Sequence, residues 1–233
     1  MKKLWQTSAP LDFAVEAYTV GEDPALDSRL LPYEVYGSLA HAEGLVRAGV
    51  LTTKELSALR KELAKLHKRA GDFAITREQE DIHTAVEQAL TKALGETGAK
   101  IHAGRSRNDQ VQVDLRLFLL DRLLALHAKT AEAADAWQAF GEKHQKVVVP
   151  GYSHLQRAMP TTMGHWAASH AEALVEGMET LRRAYEEVDA CPLGSAAGYG
   201  VTLPLDRESV SKRLGFSRVQ RNTLRVQSAR PRV

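Results

Sequence analysis

The chain has 233 residues, 44% hydrophobic and 26% charged, with 31 Lys and Arg against 29 Asp and Glu for a formal charge of +2. That length can bury a sizeable core in one large domain or two smaller ones, and the composition is that of a soluble globular protein. Its apolar runs fall far short of the roughly 20 residues of a membrane span, so no membrane partner is expected.

The start, MKKLWQTSAPLDF, has two lysines but no continuous apolar stretch behind them, which argues against a secretory signal and makes a cytoplasmic location the expectation. The lone Cys191 excludes an internal disulfide framework and fits a reducing compartment. In TTKE, Thr52 and Glu55 have the spacing of a capping box, and Leu56, Leu59, Leu63 and Leu66 then recur at helical intervals, with Gly71 as the expected stop. EDIHTAVEQALTKALG puts Ile82, Val86, Ala89 and Ala93 on one helical face and ends at Gly95.

A third helix is expected from about Asn108 to about Gln145, roughly 55 Å long at 1.5 Å per residue. Its apolar residues, among them Val111, Leu115, Phe118, Leu120, Leu123 and Leu126, occupy every side of the cylinder, the pattern of a helix buried all round. VVVPGYSHLQRAMPTT reads as a turn-rich connection. Beyond it, Leu174, Met178, Leu181, Tyr185 and Val188 step by 4, 3, 4 and 3, a heptad seam. Two long helices, one apolar on all faces, cannot cover each other, so a bundle assembled from several chains is expected. The class is all-α with no strand-rich region: an N-terminal helical domain over 1–105, the first part of a bundle domain over 106–216, and an arginine-rich tail over 217–233.

That tail holds five arginines and no acid, leaving 26 basic against 29 acidic residues elsewhere. It has no stacking aromatic and the rest of the chain no basic stripe, so nucleic acid is not an expected partner.

Several chemistries lack their signatures. HExxH and CxxC are absent, and none of the nine histidines form an i, i+4 pair, so no metal site is expected. GYSHL begins like a nucleophile elbow, but Leu155 stands where the second glycine belongs. LGSAAGYG lacks the Lys-Ser/Thr of a P-loop and reads as a flexible turn that approaches a ligand.

Three polar segments at helix ends remain. AGRSRNDQV offers Gly104 for close backbone approach, Arg105 and Arg107 as forks for carboxylates, and Asn108, all where helix N–H groups and the macrodipole favour an anion. PGYSHLQRAMPTT sets Ser153, His154, Gln156 and Arg157 between two prolines, and histidine exchanges protons near neutral pH. EDIHTAVE places Asp81 and His83 in the first turn of a helix. Taken singly, each segment is more simply explained as an N-cap, a hydrogen-bonded loop histidine, or acids placed to suit a helix dipole.

In combination, EDIHTAVE, HAGRSRNDQVQVDLRL, VVPGYSHLQRAMPTTMGH and CPLGSAAGYGVTLPLDRESVSKRLGF resemble argininosuccinate lyase, in the family's order and spacing over about residues 11 to 216. The resemblance implies the L-aspartase-like fold and a β-elimination that splits argininosuccinate into arginine and fumarate without cofactor. It also implies a homotetramer whose active sites draw on several subunits. By the same resemblance, His154 is the catalytic histidine and Arg107, Asn108 and Ser153 bind substrate. Asp81 and His83 line the cleft, and Asp23 stands at a substrate-binding serine. Two departures go with it: WQTSAPLDF replaces the family's usual WGGRF, and the family's serine-rich catalytic loop lies beyond the last residue. The tail is read as departing from the family after about Leu224, through a truncation or frameshift, and the chain alone is expected to be inactive and poorly soluble. The alternatives are another fumarate-releasing lyase, such as adenylosuccinate lyase or aspartase, and a non-catalytic helical scaffold.

Overall fold

The structure is a computed structural model and describes residues 12–229. The WQTSAP stretch, Arg230 and Arg232 lie outside the described residues. The order is α1 (Phe13–Val20), α2 (Asp23–Asp27), α3 (Leu31–Arg47), α4 (Thr53–Lys68), α5 (Ile82–Leu94), α6 (Glu96–Ala99), α7 (Arg107–Lys143), β1 (Val148–Ser153), β2 (Gln156–Thr162), α8 (Met163–Val188), α9 (Arg207–Leu214) and α10 (Thr223–Ser228). The described residues form two compact units, one of residues 12–118 with 189–229, the other of residues 119–188.

In the first unit, α3 packs on α4, α5 and α9. Thr52 accepts from Glu55 N–H while the Glu55 carboxylate accepts from Thr52 N–H, a complete capping box that starts α4 where the sequence places it. The helix stops at Lys68, capped at Arg69, before the expected Gly71. Asp81 caps α5 by accepting Thr84 N–H at 2.7 Å, and Gly95, at φ 60°, ends it. Leu31, Leu45, Leu59, Ile82, Leu90 and Ile101 are fully buried between these helices, each stabilising the fold by about 1.5–3 kcal/mol.

The arginine-rich segment is part of this unit. Asn222 caps α10, Val226 is fully buried, and Gln112 Nε2 of α7 donates to the Val226 carbonyl at 2.6 Å.

In the second unit the turn-rich connection between the long helices is a β-hairpin. Ser153 pairs with Gln156, leaving His154 and Leu155 as a two-residue turn with φ of 49° and 63°. Such turns require positive φ at both central residues and normally use Asn-Gly. His-Leu carries no such signal, and the two prolines disguise the strands. Gly151 supplies the bulge; a Cβ there would sit 2.7 Å from the Met159 carbonyl.

Along α7, residues 112 to 114 and 116 are buried, whereas Leu124 and Leu126 are more than half exposed. One chain therefore does not bury this helix all round. On α8 the seam residues Leu174, Met178, Leu181 and Tyr185 are half-buried, and Val188 is buried.

Candidate functional site

Arg107 opens α7 and Asp81 precedes α5, so two sequence-distant polar segments meet in the first unit. Arg107 Nε lies 3.4 Å from Asp81 Oδ2, Nη2 donates to Thr84 Oγ1 at 3.1 Å, and Nη1 donates to Gln110 Oε1 at 3.3 Å. The fork is held at three points and still reaches solvent, its side chain 28% exposed. Asn108 sits beside it, its N–H donating to Ser106 Oγ at 3.2 Å. Asp27, which sequence reasoning passed over, accepts Ile82 N–H at 3.3 Å, and burial pushes its carboxyl above the ordinary value. Asp23 opens the short helix α2, an exposed position.

Arg105 and His83 turn inward, unlike the sequence expectation. Arg105 is 5% exposed; its Nη1 donates to Ser38 Oγ at 2.9 Å and stands 3.7 Å from Glu34 Oε1. His83 is 1% exposed, with Nδ1 3.0 Å from Glu34 Oε2 and 3.5 Å from Asp114 Oδ2. Residues two apart at a turn or in a first helical turn point to opposite sides. One member of each pair, Arg105–Arg107 and Asp81–His83, must therefore face the core.

Glu34 is the hub of that interior. Its Oε1 accepts from Ser38 Oγ at 2.6 Å and from Gln110 Nε2 at 2.9 Å. Burial alone would raise its carboxyl, but the His83 hydrogen bond and the charges of His83 and Arg105 outweigh burial and hold it well below the usual range. Asp114 moves oppositely: burial and the Glu34 charge push its carboxyl well above the ordinary value. Gly37 allows this approach, since a Cβ there would lie 3.2 Å from Asp114 Oδ1.

Glu34, His83 and Asp114 present ligand atoms within 4.8 Å of one another, a spacing that could hold a metal. The donors around them disfavour a cation. Ser38 and Gln110 occupy Glu34 Oε1, and Arg105 brings a fixed positive charge. Sequence reasoning missed Glu34 and Asp114 because the network draws on α3, α5, α7 and the turn before α7, and no local pattern links these.

Ser153 and His154 belong to the second unit, exposed at the hairpin tip beside Leu155, which is 94% exposed.

A family model described as a lyase matches residues 1–232. The chain belongs to that lyase family. The match runs through the arginine-rich end. The chain is 43% identical over 230 residues to the argininosuccinate lyase of Sorangium cellulosum, covering 98% of this chain and 54% of that one. It is 40% identical over 231 residues to the argininosuccinate lyase of Thermotoga neapolitana, covering 98% of this chain and 58% of that one. This lyase chain thus spans about half the length of the curated relatives it matches. Among solved structures it resembles an EDDS lyase variant with bound fumarate, with a TM-score of 0.79 and 30% identity over 95% of this chain and 44% of that one. A fumarate lyase:delta crystallin from Brucella melitensis bound to cobalt shares the fold, with a TM-score of 0.71 at 17% identity over 95% of this chain and 57% of that one. The all-α fold expected from the sequence is that of the fumarase and aspartase superfamily. Among the described residues, no helix is long and apolar enough to cross a membrane.

Proposed function

We propose that the chain supplies part of an argininosuccinate lyase site, in which argininosuccinate loses arginine and leaves fumarate. The observation that carries this reading is the Asp81–Arg107 contact, which joins EDIHTAVE to AGRSRNDQV around an exposed guanidinium beside a helix start. The bound fumarate of the similar EDDS lyase variant supports a dicarboxylate there.

The elimination breaks the bond between carbon and the guanidino nitrogen. A base removes the proton from the carbon beside a carboxylate, the electron pair becomes the C=C bond of fumarate, and an acid protonates the leaving nitrogen. Arg107 and Asn108 hold the succinyl carboxylates, and Ser153 binds a carboxylate. His154 assists proton transfer, and Asp81 holds the Arg107 fork. Donors placed in advance around the developing charge stabilise that step more than they stabilise the substrate. The reaction needs no metal or organic cofactor.

The half-exposed Leu124 and Leu126 of α7 and Val175 of α8 support burial by further copies of the chain. A homotetramer would bring the Ser153–His154 hairpin of one copy to the Arg107 turn of another. On this reading the remaining groups of the site come from the part of the curated relatives that these 233 residues do not cover. Fumarate release from argininosuccinate, followed by absorbance, tests the whole reading. Release is expected from the chain joined to the C-terminal half of a curated relative, and none from the chain alone. A joined protein that stays inactive while folded and tetrameric would favour the scaffold reading.

A further inference from the structure

The glycine-rich loop after α8 is fastened at two places to the turn that carries Arg107. At one end the fully buried Asp109 accepts, through Oδ2, the N–H groups of Gly194 at 3.1 Å and Ala196 at 2.8 Å, while its Oδ1 accepts Ser106 N–H at 3.0 Å. At the other end Leu203 and Leu205 close over Gly104: a Cβ there would meet Leu203 Cδ1 at 3.2 Å and Leu205 Cδ1 at 3.4 Å. Both anchors fall between Gly104 and Asp109, and the stretch between them, residues 197 to 202, is exposed throughout. A chain this short, tied at both ends to one turn, runs alongside that turn.

The fastening is costly to the fold. Ala196 is buried with φ 62° and ψ −175°, a strained conformation essentially reserved for glycine. Asp109 is a buried carboxyl that burial pushes above its ordinary value, although its N–H donors and Arg105 oppose the rise. Strain and a buried charge therefore meet at a single hydrogen bond, the one from Ala196 N–H to Asp109. Local violations of this kind persist where a geometry is needed for function.

We infer that Asp109 is a positioning residue for the Arg107–Asn108 site, holding residues 197 to 202 as its second wall with Tyr199 presented to the substrate. Tyr199 suits that place, being 57% exposed and held at φ 64° between Gly198 and Gly200. The inference rests on the site reading above and extends it to a segment with no role in the elimination itself.

Two measurements test it. In the 233-residue chain, Asp109→Asn leaves one side-chain oxygen for three backbone N–H donors and turns an N–H₂ group on at least one of them, and hydrogen exchange across residues 194 to 202 should quicken at least ten-fold while α8 is unchanged. Unchanged exchange there overturns the clamp. In the joined protein, Asp109→Asn and Tyr199→Ala should each raise KM for argininosuccinate five-fold or more and leave kcat within two-fold. Leu59→Ala, a core truncation outside the site, should lower Tm and leave KM alone. Tyr199 is exposed, so its variant tests the wall even if Asp109→Asn fails to fold. A raised KM in Arg107→Ala with an unmoved KM in Asp109→Asn and Tyr199→Ala sinks the second wall and leaves the site reading standing. A joined wild-type protein that releases no fumarate sinks both.

Discussion

Arg107 Nε and Asp81 Oδ2 lie 3.4 Å apart, so the cap of α5 is also the anchor of the first side chain of α7. The two roles separate by substitution. Asp81→Asn keeps an oxygen for Thr84 N–H and loses only a partly exposed ion pair, which should cost under about 1 kcal/mol. Asp81→Ala removes the cap as well and should cost about 1–2 kcal/mol. Urea denaturation of both variants at pH 7 checks this; equal losses would deny Asp81 its capping role.

The interior network predicts a sharper asymmetry. Glu34→Ala strips Arg105 of its facing carboxylate inside the core, and breaking a buried pair in this way costs about 3–5 kcal/mol. Burial and the Glu34 charge push the Asp114 carboxyl toward its neutral form, so Asp114→Asn should cost under about 1.5 kcal/mol. Equilibrium unfolding decides it, and similar losses for the two would contradict the asymmetry.

Acid should weaken the fold through His41. Its Nε2 donates to the Ala103 carbonyl at 2.9 Å, and burial, aided by the Arg105 charge, pulls the imidazole down to about 3. Between pH 6.5 and about 3 the unfolded chain binds a proton that the folded chain refuses, so this contribution to stability is present above 6.5 and falls by about 1.4 kcal/mol per unit below it. Glu34, depressed in the fold, adds a further loss below about its ordinary 4.5. His41→Gln keeps the donor and should flatten the curve between pH 6 and 4.5, read from denaturation midpoints. A slope identical to wild type would sink the assignment.

Gly104 is at φ 69° beneath Leu203. Gly104→Ala should cost about 1–2 kcal/mol through the left-handed backbone alone, with the denaturant slope unchanged. A neutral result would mean that the turn relaxes freely.

For the elimination, Arg107→Ala and His154→Ala in the joined protein should each slow fumarate release by about 10²- to 10³-fold, the loss expected when a placed donor or proton carrier is removed. Unchanged turnover in either would remove that residue from the proposal.

Much of the fold was legible because its signals are local. Thr52 and Glu55 close the capping box within one turn, Gly95 stops α5 with its own backbone, and the apolar residues of the long helices announce themselves by spacing. The hairpin was not legible, since His154 and Leu155 make a turn that neither favours. Half of the candidate site was readable as motif: Asp81, Arg107, Asn108, Ser153 and His154 all carry polar chemistry at helix ends or loops.

The sequence by itself determined the helical class and the segments that carry polar chemistry, because capping, periodicity and chain-stopping residues act within a few positions. Only the tertiary structure decided which member of each polar pair faces the core. Arg105 and His83 turn inward to Glu34, while Arg107 and Asp81 meet at the surface. That choice depends on what α3 and the start of α7 bring together from residues 34 and 114, and burial makes a charge tolerable only where such partners already stand.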